Sequence, residues 1–190
     1  VSRPDTLISS DIVLRPVVKG KFLYVGNEKF WVKGTTYGTF RPNTTGDHFP
    51  EVEIVSKDFA AMAQNGLNAI RTYTVPPPWL LDLAQKYGLR VMVGLQWEQH
   101  ITFLDSRKLA RSIKSQVQKY VQSISGHPAI LCYVIGNEIP APIVRWHGRK
   151  QIQNFLHRLY LIVKKEDPSA LITYVNFPTT EYLQLPFVDL

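Results

Sequence analysis

Seven consecutive apolar residues, Ala129 to Ile135, lie inside the stretch HPAILCYVIGNEIP that runs from His127 to Pro140. The run is β-branched or aromatic in part and far too short to span a membrane, so it reads as a strand buried on both faces. Such a strand needs neighbours on either side and helices above and below it, which implies a parallel sheet in an α/β fold. Gly136 ends the run, and Asn137 and Glu138 follow at once. Charged groups are costly to bury, so nothing about folding calls for a carboxylate there. The carboxyl end of a parallel strand is where α/β barrels keep their chemistry, which makes Glu138 a candidate functional group rather than a solvated loop residue.

The rest of the chain alternates strand and helix in the same way. Gly26-Asn27, between Val17–Val25 and Lys29–Val32, signals a β-hairpin whose second arm runs on toward a first barrel strand in KFWVKGTTYG. Further strands are predicted at 67–73, 89–97, 129–135 and 171–175, and Phe187 to Leu190 opens a sixth. Between them, helices are predicted over 57–65 with Ser56 as cap, from Pro77-Pro78 to Gly88, from Asp105 or Ser106 to Gly126, over 150–165, and over 180–185. The apolar positions Leu109, Ile113, Val117, Tyr120, Val121 and Ile124 are spaced three and four apart, as one helix face requires.

Strand-to-strand spacing of roughly 30 residues fits one βα unit of a barrel. The competing doubly wound sheet should carry a Gly-rich dinucleotide turn after its first strand. Gly34-Thr35-Thr36-Tyr37-Gly38 lacks the third glycine, and no phosphate-binding loop of the Walker type occurs. The sequence therefore predicts a (β/α)8 TIM barrel of which five to six units are present, with residues 1–29 as lead-in and hairpin and 30–190 as the partial barrel. A full barrel needs about 250 residues, so the chain reads as the first two-thirds of one. Its open parallel edge would allow self-association with a second copy.

Several function classes are disfavoured. The net charge is +7, but the basic residues are scattered over helix faces, which argues against a nucleic-acid partner. No apolar run reaches membrane-helix length. His48, His100, His127, His147 and His157 share no metal-ligand spacing, so neither a metal nor a cofactor is expected. His127, before a proline at a strand entrance, suits a structural hydrogen bond. Cys132, the single cysteine, and Trp31 suit the core. No serine sits on a glycine-flanked strand-to-helix elbow.

HPAILCYVIGNE resembles the acid/base strand of retaining glycoside hydrolases with (β/α)8 barrels, and most of all the barrel domain of glycoside hydrolase family 2. The segment Asp58 to Gly66, followed by Leu67-Asn68-Ala69-Ile70-Arg71-Thr72, resembles that family's second strand. WLLDLAQKYGLRVMVGL, Trp79 to Leu95, resembles the helix and third strand after it. Two departures stand out. Thr74 occupies a position where the family usually has histidine, and Val93 and Gly94 stand where it usually has an acidic pair.

The resemblance implies hydrolysis of a β-linked saccharide by retaining double displacement. Glu138 would be the general acid/base, Asn137 would bond the sugar 2-hydroxyl, and Arg71 would lie beside a nucleophile supplied by a seventh strand outside this sequence. A chain without that nucleophile would be inactive alone. Glu98, after strand 3, reads as a loop or subsite residue. Aromatic rings stack on sugar faces, so Tyr37, Tyr73, Trp97 and Trp146 are candidate platforms, with Trp97 first because it ends a strand. Asn176, after strand 5, is a candidate polar contact. The rival reading is a non-catalytic barrel module that binds glycan or a partner chain.

Overall fold

The long apolar run becomes the centre of a parallel sheet. In the computed structural model, which describes residues 14–42, 46 and 48–190, five strands lie side by side in chain order. They are β4 (Gly34–Thr36), β5 (Ala69–Thr72), β6 (Arg90–Gly94), β7 (Ile130–Asn137) and β8 (Ile172–Val175), and each pairs in parallel with the next. A doubly wound sheet would reverse its order at a switch point. Strict succession is the arrangement of a barrel wall, and the fold is a partial (β/α)8 barrel.

Helices α1 (Val52–Gln64), α2 (Pro78–Lys86) and α3 (Arg107–Ile124) connect β4 to β7, and α4 (Ala141–His147) with α5 (Arg149–Glu166) connect β7 to β8. Their apolar stripes cover the outer face of the sheet. Phe59, Leu80, Ile113, Val117, Ile152 and Leu156 are fully enclosed there against Ile70, Val91, Tyr133 and Ile135. Ser106 caps α3, its hydroxyl accepting from the Leu109 N–H at 3.2 Å, and Gly126 closes that segment with φ 76°.

Before the barrel, β1 (Val17–Lys19), β2 (Phe22–Val25) and β3 (Glu28–Lys29) form an antiparallel meander. The Gly26-Asn27 turn is present between β2 and β3. The expected continuous first arm is split by a second turn at Gly20, which adopts φ 62°. The meander sets Leu23 and Phe30 against Ala69, Leu131, Cys132 and Leu171 near the amino ends of the barrel strands. Arg15 anchors the same region through a 2.6 Å ion pair with Asp167. The expected lead-in over residues 1–13 lies outside the described residues.

Other expectations are corrected. Trp31 is 61% exposed and packs edge-on to Phe22, because the preceding Phe30 is the aromatic that turns to the core. The first helix starts at Val52 rather than Lys57. Ser56 lies within it, sharing a 2.7 Å hydrogen bond with the Tyr87 hydroxyl instead of capping. A short helix, α4, follows Pro140 where none was expected. The 180–185 helix is replaced by a single 3₁₀ turn, Pro178–Thr180. There the Thr180 hydroxyl donates to Asn176 Oδ1 at 2.7 Å, and local side-chain bonds of this kind compete with helix. Residues 187–190 form no strand, although the Asp189 N–H donates to the Ile172 carbonyl at 2.8 Å beside β8. His127 makes its structural bonds, accepting from the Ala129 N–H at Nδ1 (3.1 Å) and reaching Asp82 with Nε2 (3.2 Å).

Among the described glycines, Gly94 has the closest main-chain neighbours. A Cβ there would lie 2.6 Å from the Tyr73 carbonyl oxygen and 2.7 Å from that of Thr72, and main-chain atoms cannot step aside as a side chain can. Gly94→Ala is expected to destabilise the fold by about 1–3 kcal/mol, the cost of overpacking a close-packed interior. Urea unfolding measures it, and a change below about 0.5 kcal/mol would mean that β5 and β6 separate freely.

Candidate active site

The strand order brings residues that are distant in sequence to one rim. Arg71 on β5 and Asn137 at the end of β7 meet there, the Arg71 Nη2 donating to Asn137 Oδ1 at 2.5 Å. The guanidinium also lies 4.7 Å from the centroid of the Tyr73 ring, which is partly exposed. Arg71 Nε is buried without a partner among the described residues, as is the Thr72 hydroxyl. Buried polar atoms are nearly always satisfied, and both residues line the cavity described next, where a bound group could reach them.

A cavity of about 530 Å³ opens at this rim. Arg71, Tyr73, Gln96, Gln99, His100 and Asn137 line it, and no described lining residue is a carboxylate. Gly136 and Asn137 form part of its wall, and Glu138 is the next residue of the chain. Glu138 is half-buried and carries φ 55°, the only positive value at a non-glycine among the described residues. Left-handed backbone at such a residue costs on the order of 1–3 kcal/mol and persists only where the surroundings enforce it. Its N–H donates to the Val175 carbonyl at 2.8 Å. Beside it, the Tyr174 hydroxyl accepts from the Ile139 N–H at 3.1 Å. Burial pushes the Tyr174 phenol up to about 12, against the Ile139 hydrogen bond and with help from the negative charge of Glu138.

The other sequence-derived candidates fall in different places. Trp97 is nearly enclosed, with its indole N–H donating to the Ile135 carbonyl at 2.9 Å and its ring edge-on to Phe103 and Phe155. It contributes to the cavity lining while packed into the core. Tyr37 is buried between Phe40 and Phe59, and its hydroxyl donates to Asp58 at 2.7 Å. Burial and the Asp58 carboxylate push its phenol well above the ordinary range. Asn176 is occupied by Thr180, its amide donating to that residue's carbonyl at 3.0 Å. Trp146 is exposed on α4 and donates to Asp105 at 2.9 Å, and Glu98 is exposed in the loop after β6.

Val93 is fully enclosed and Gly94 has no room for a side chain, so β6 as built cannot present an acidic pair at these positions. Burial pushes the Cys132 thiol up to about 12 against the opposing charge of Arg71, which keeps it protonated and un-nucleophilic. The described residues contain no group of three metal-ligating side chains and no helix long and apolar enough to cross a membrane. Sequence reasoning missed Gln99 and Tyr174. Gln99 Oε1 accepts from the Asn137 N–H at 2.7 Å, a contact across 38 positions that no local pattern announces.

Comparison with known proteins agrees with this architecture. A β-glucuronidase from Faecalibacterium prausnitzii superposes with a TM-score of 0.73 at 19% identity, over 92% of this chain and 30% of that one. A Ruminococcus gnavus β-glucuronidase in complex with D-glucuronic acid gives 0.73 at 16% identity, over 92% and 29%. Saccharomyces cerevisiae Gas2p in complex with laminaripentaose gives 0.62 at 17% identity, over 85% and 39%. At such identities the likeness is one of fold, and the chain spans between about a fifth and two fifths of the length of the structures it matches. The family profile described as glycosyl hydrolases family 2, TIM barrel domain, matches residues 17–189. The chain belongs to glycosyl hydrolase family 2, as part of its TIM barrel domain.

Proposed function

We propose that this chain supplies the acid/base half of a retaining glycosidase centre acting on a β-linked saccharide. The observation that carries the reading is a glutamate with a strained backbone, Glu138 at φ 55°, next in the chain to Asn137, which is bonded to Arg71 in the wall of a cavity at the carboxyl ends of the strands.

As an acid, Glu138 gives its proton to the glycosidic oxygen while a second carboxylate attacks the anomeric carbon and the bond to the leaving group breaks. As a base, it then takes a proton from water, whose oxygen displaces the ester and releases the sugar. Asn137 bonds the sugar 2-hydroxyl, and Arg71 orients both Asn137 and the nucleophile. The second carboxylate must lie about 5 Å from the first, and no described residue lining the cavity is one. We assign it to a part of the protein outside these 190 residues, and on that assignment the 190 residues alone are expected to hydrolyse no glycoside. Tyr73, exposed beside Arg71, is the best placed of the aromatic residues to stack on a sugar. The lack of a carboxylate in the lining also favours a second reading, in which the barrel binds glycan without cleaving it.

The test uses the complete protein that carries this chain and a panel of aryl β-glycosides, including a glucuronide, glucoside, galactoside and mannoside. Proton NMR of the first-formed product should show the β anomer. An α first product, or binding of glycan with no hydrolysis of any panel member, would overturn the proposal.

A further inference from the structure

We propose that Gln99 and Tyr174 are positioning residues that hold Glu138 in its working orientation, one from the loop after β6 and one from β8. This deepens the reading of Glu138 as the acid/base and rests on it. Three successive N–H groups around Glu138 are tied. That of Asn137 donates to Gln99 Oε1 at 2.7 Å, that of Glu138 to the Val175 carbonyl at 2.8 Å, and that of Ile139 to the Tyr174 hydroxyl at 3.1 Å. The middle bond continues the pairing of β7 with β8, in which Asn137 lies opposite Val175. The outer two are side-chain bonds from separate elements, and nothing in sheet formation requires them.

The space around this peptide is closed by the same two side chains. A Cβ on Gly136 would meet the Tyr174 ring at 3.1 Å and Gln99 Oε1 at 3.4 Å. Gln99 is itself buried at the cavity wall, where a polar side chain needs a partner, and the Asn137 N–H is the partner it has. Left-handed backbone at a glutamate relaxes unless it is over-determined. Losing the Gln99 acceptor leaves the Asn137 N–H orphaned and frees the peptide between Gly136 and Asn137, just before Glu138, to rotate. That rotation carries the Glu138 carboxyl away from the glycosidic oxygen. Asn137 stays held through its side-chain bond to Arg71, so the displacement falls on Glu138.

The experiment compares two substrates of the complete enzyme. One has a poor leaving group, such as an alkyl β-glycoside, and needs the acid. The other, a 2,4-dinitrophenyl β-glycoside, departs without it. Because kcat/KM reports the first bond-breaking step, Gln99→Ala and Tyr174→Phe are each expected to lower it about 10- to 100-fold on the alkyl glycoside. On the dinitrophenyl glycoside the loss should stay below about 3-fold. Gln99→Glu keeps an acceptor oxygen and should recover most of the loss.

Equal losses on both substrates, or a rise in KM alone, would make these residues structural or substrate-binding and overturn the proposal. If Gln99→Ala does not fold, as judged by circular dichroism, Tyr174→Phe carries the test, since it removes one hydroxyl and keeps the ring. Glu138→Gln run alongside separates the two failures. A leaving-group-independent Glu138→Gln would remove the acid/base reading itself, whereas a dependent Glu138→Gln with an indifferent Gln99→Ala would remove only the positioning role.

Discussion

Glu138→Gln in the complete protein is expected to lower kcat/KM for an alkyl β-glycoside by about 10²- to 10⁴-fold, the usual worth of a positioned general acid. Glutamine fills the same volume and leaves the N–H bonds to Val175, Gln99 and Tyr174 intact, so the backbone should hold its shape. What is lost is the proton. A dinitrophenyl glycoside should therefore be cleaved in its first step at close to the normal rate and stall as a glycosyl-enzyme, since Glu138 also serves as base for the second. Glu138→Ala opens space for azide, which needs no deprotonation, and turnover should recover with formation of a β-glycosyl azide. Unchanged hydrolysis of the alkyl glycoside by Glu138→Gln would assign the acid to another residue.

The largest expected loss of stability lies at the opposite end of the barrel. Asp167 is 3% exposed and accepts from Arg15 at 2.6 Å, from the Tyr133 hydroxyl at 3.1 Å and from the Gly126 N–H at 3.1 Å. Asp167→Ala strands the Arg15 guanidinium, whose Nη2 is already buried without a partner among the described residues. Breaking a buried pair from one side costs about 3–5 kcal/mol. For a chain of this size that is a fall in Tm of roughly 6–20 °C.

The same site predicts a pH dependence. Burial raises the Asp167 pKa, but the Arg15 hydrogen bond and charge, with the Gly126 and Tyr133 bonds, outweigh it and hold the carboxyl below its ordinary range. The unfolded chain then binds more protons in the window between the two pKa values, so stability rises with pH across it. The contribution is complete above about pH 4 and is lost as pH falls through the lowered folded value. Urea unfolding at pH 7 and pH 3 should show a steeper acid loss for the native sequence than for Asp167→Ala. Parallel losses would place the acid sensitivity elsewhere.

The extent to which sequence foretold structure follows from the range of the forces involved. β7 was legible because burial on both faces leaves a continuous apolar run, and α3 because its stripe and its Ser106 cap are local. The start of α1 was not, because Val52 and Ile54 face solvent there and Glu51 makes no side-chain cap. Strand-end positions were readable for Trp97, Tyr37 and Asn176, but the direction each side chain takes was not. It is set by the Ile135 carbonyl, Asp58 and Thr180, of which the first two lie far away in sequence. Asp167 read only as a helix stop before Pro168, since its ion partner is 152 positions away.

That separation also sets a clock. A ribosome adds roughly 5–20 residues per second, so Asp167 is made about 8–30 s after Arg15. Through that interval the meander can form its own turns but has no carboxylate to bind it to the barrel wall. Leu23 and Phe30 are likewise exposed until Leu131 and Leu171 exist to receive them. Within these 190 residues the meander is thus made well before the wall that secures it, and its apolar side chains wait uncovered through that interval.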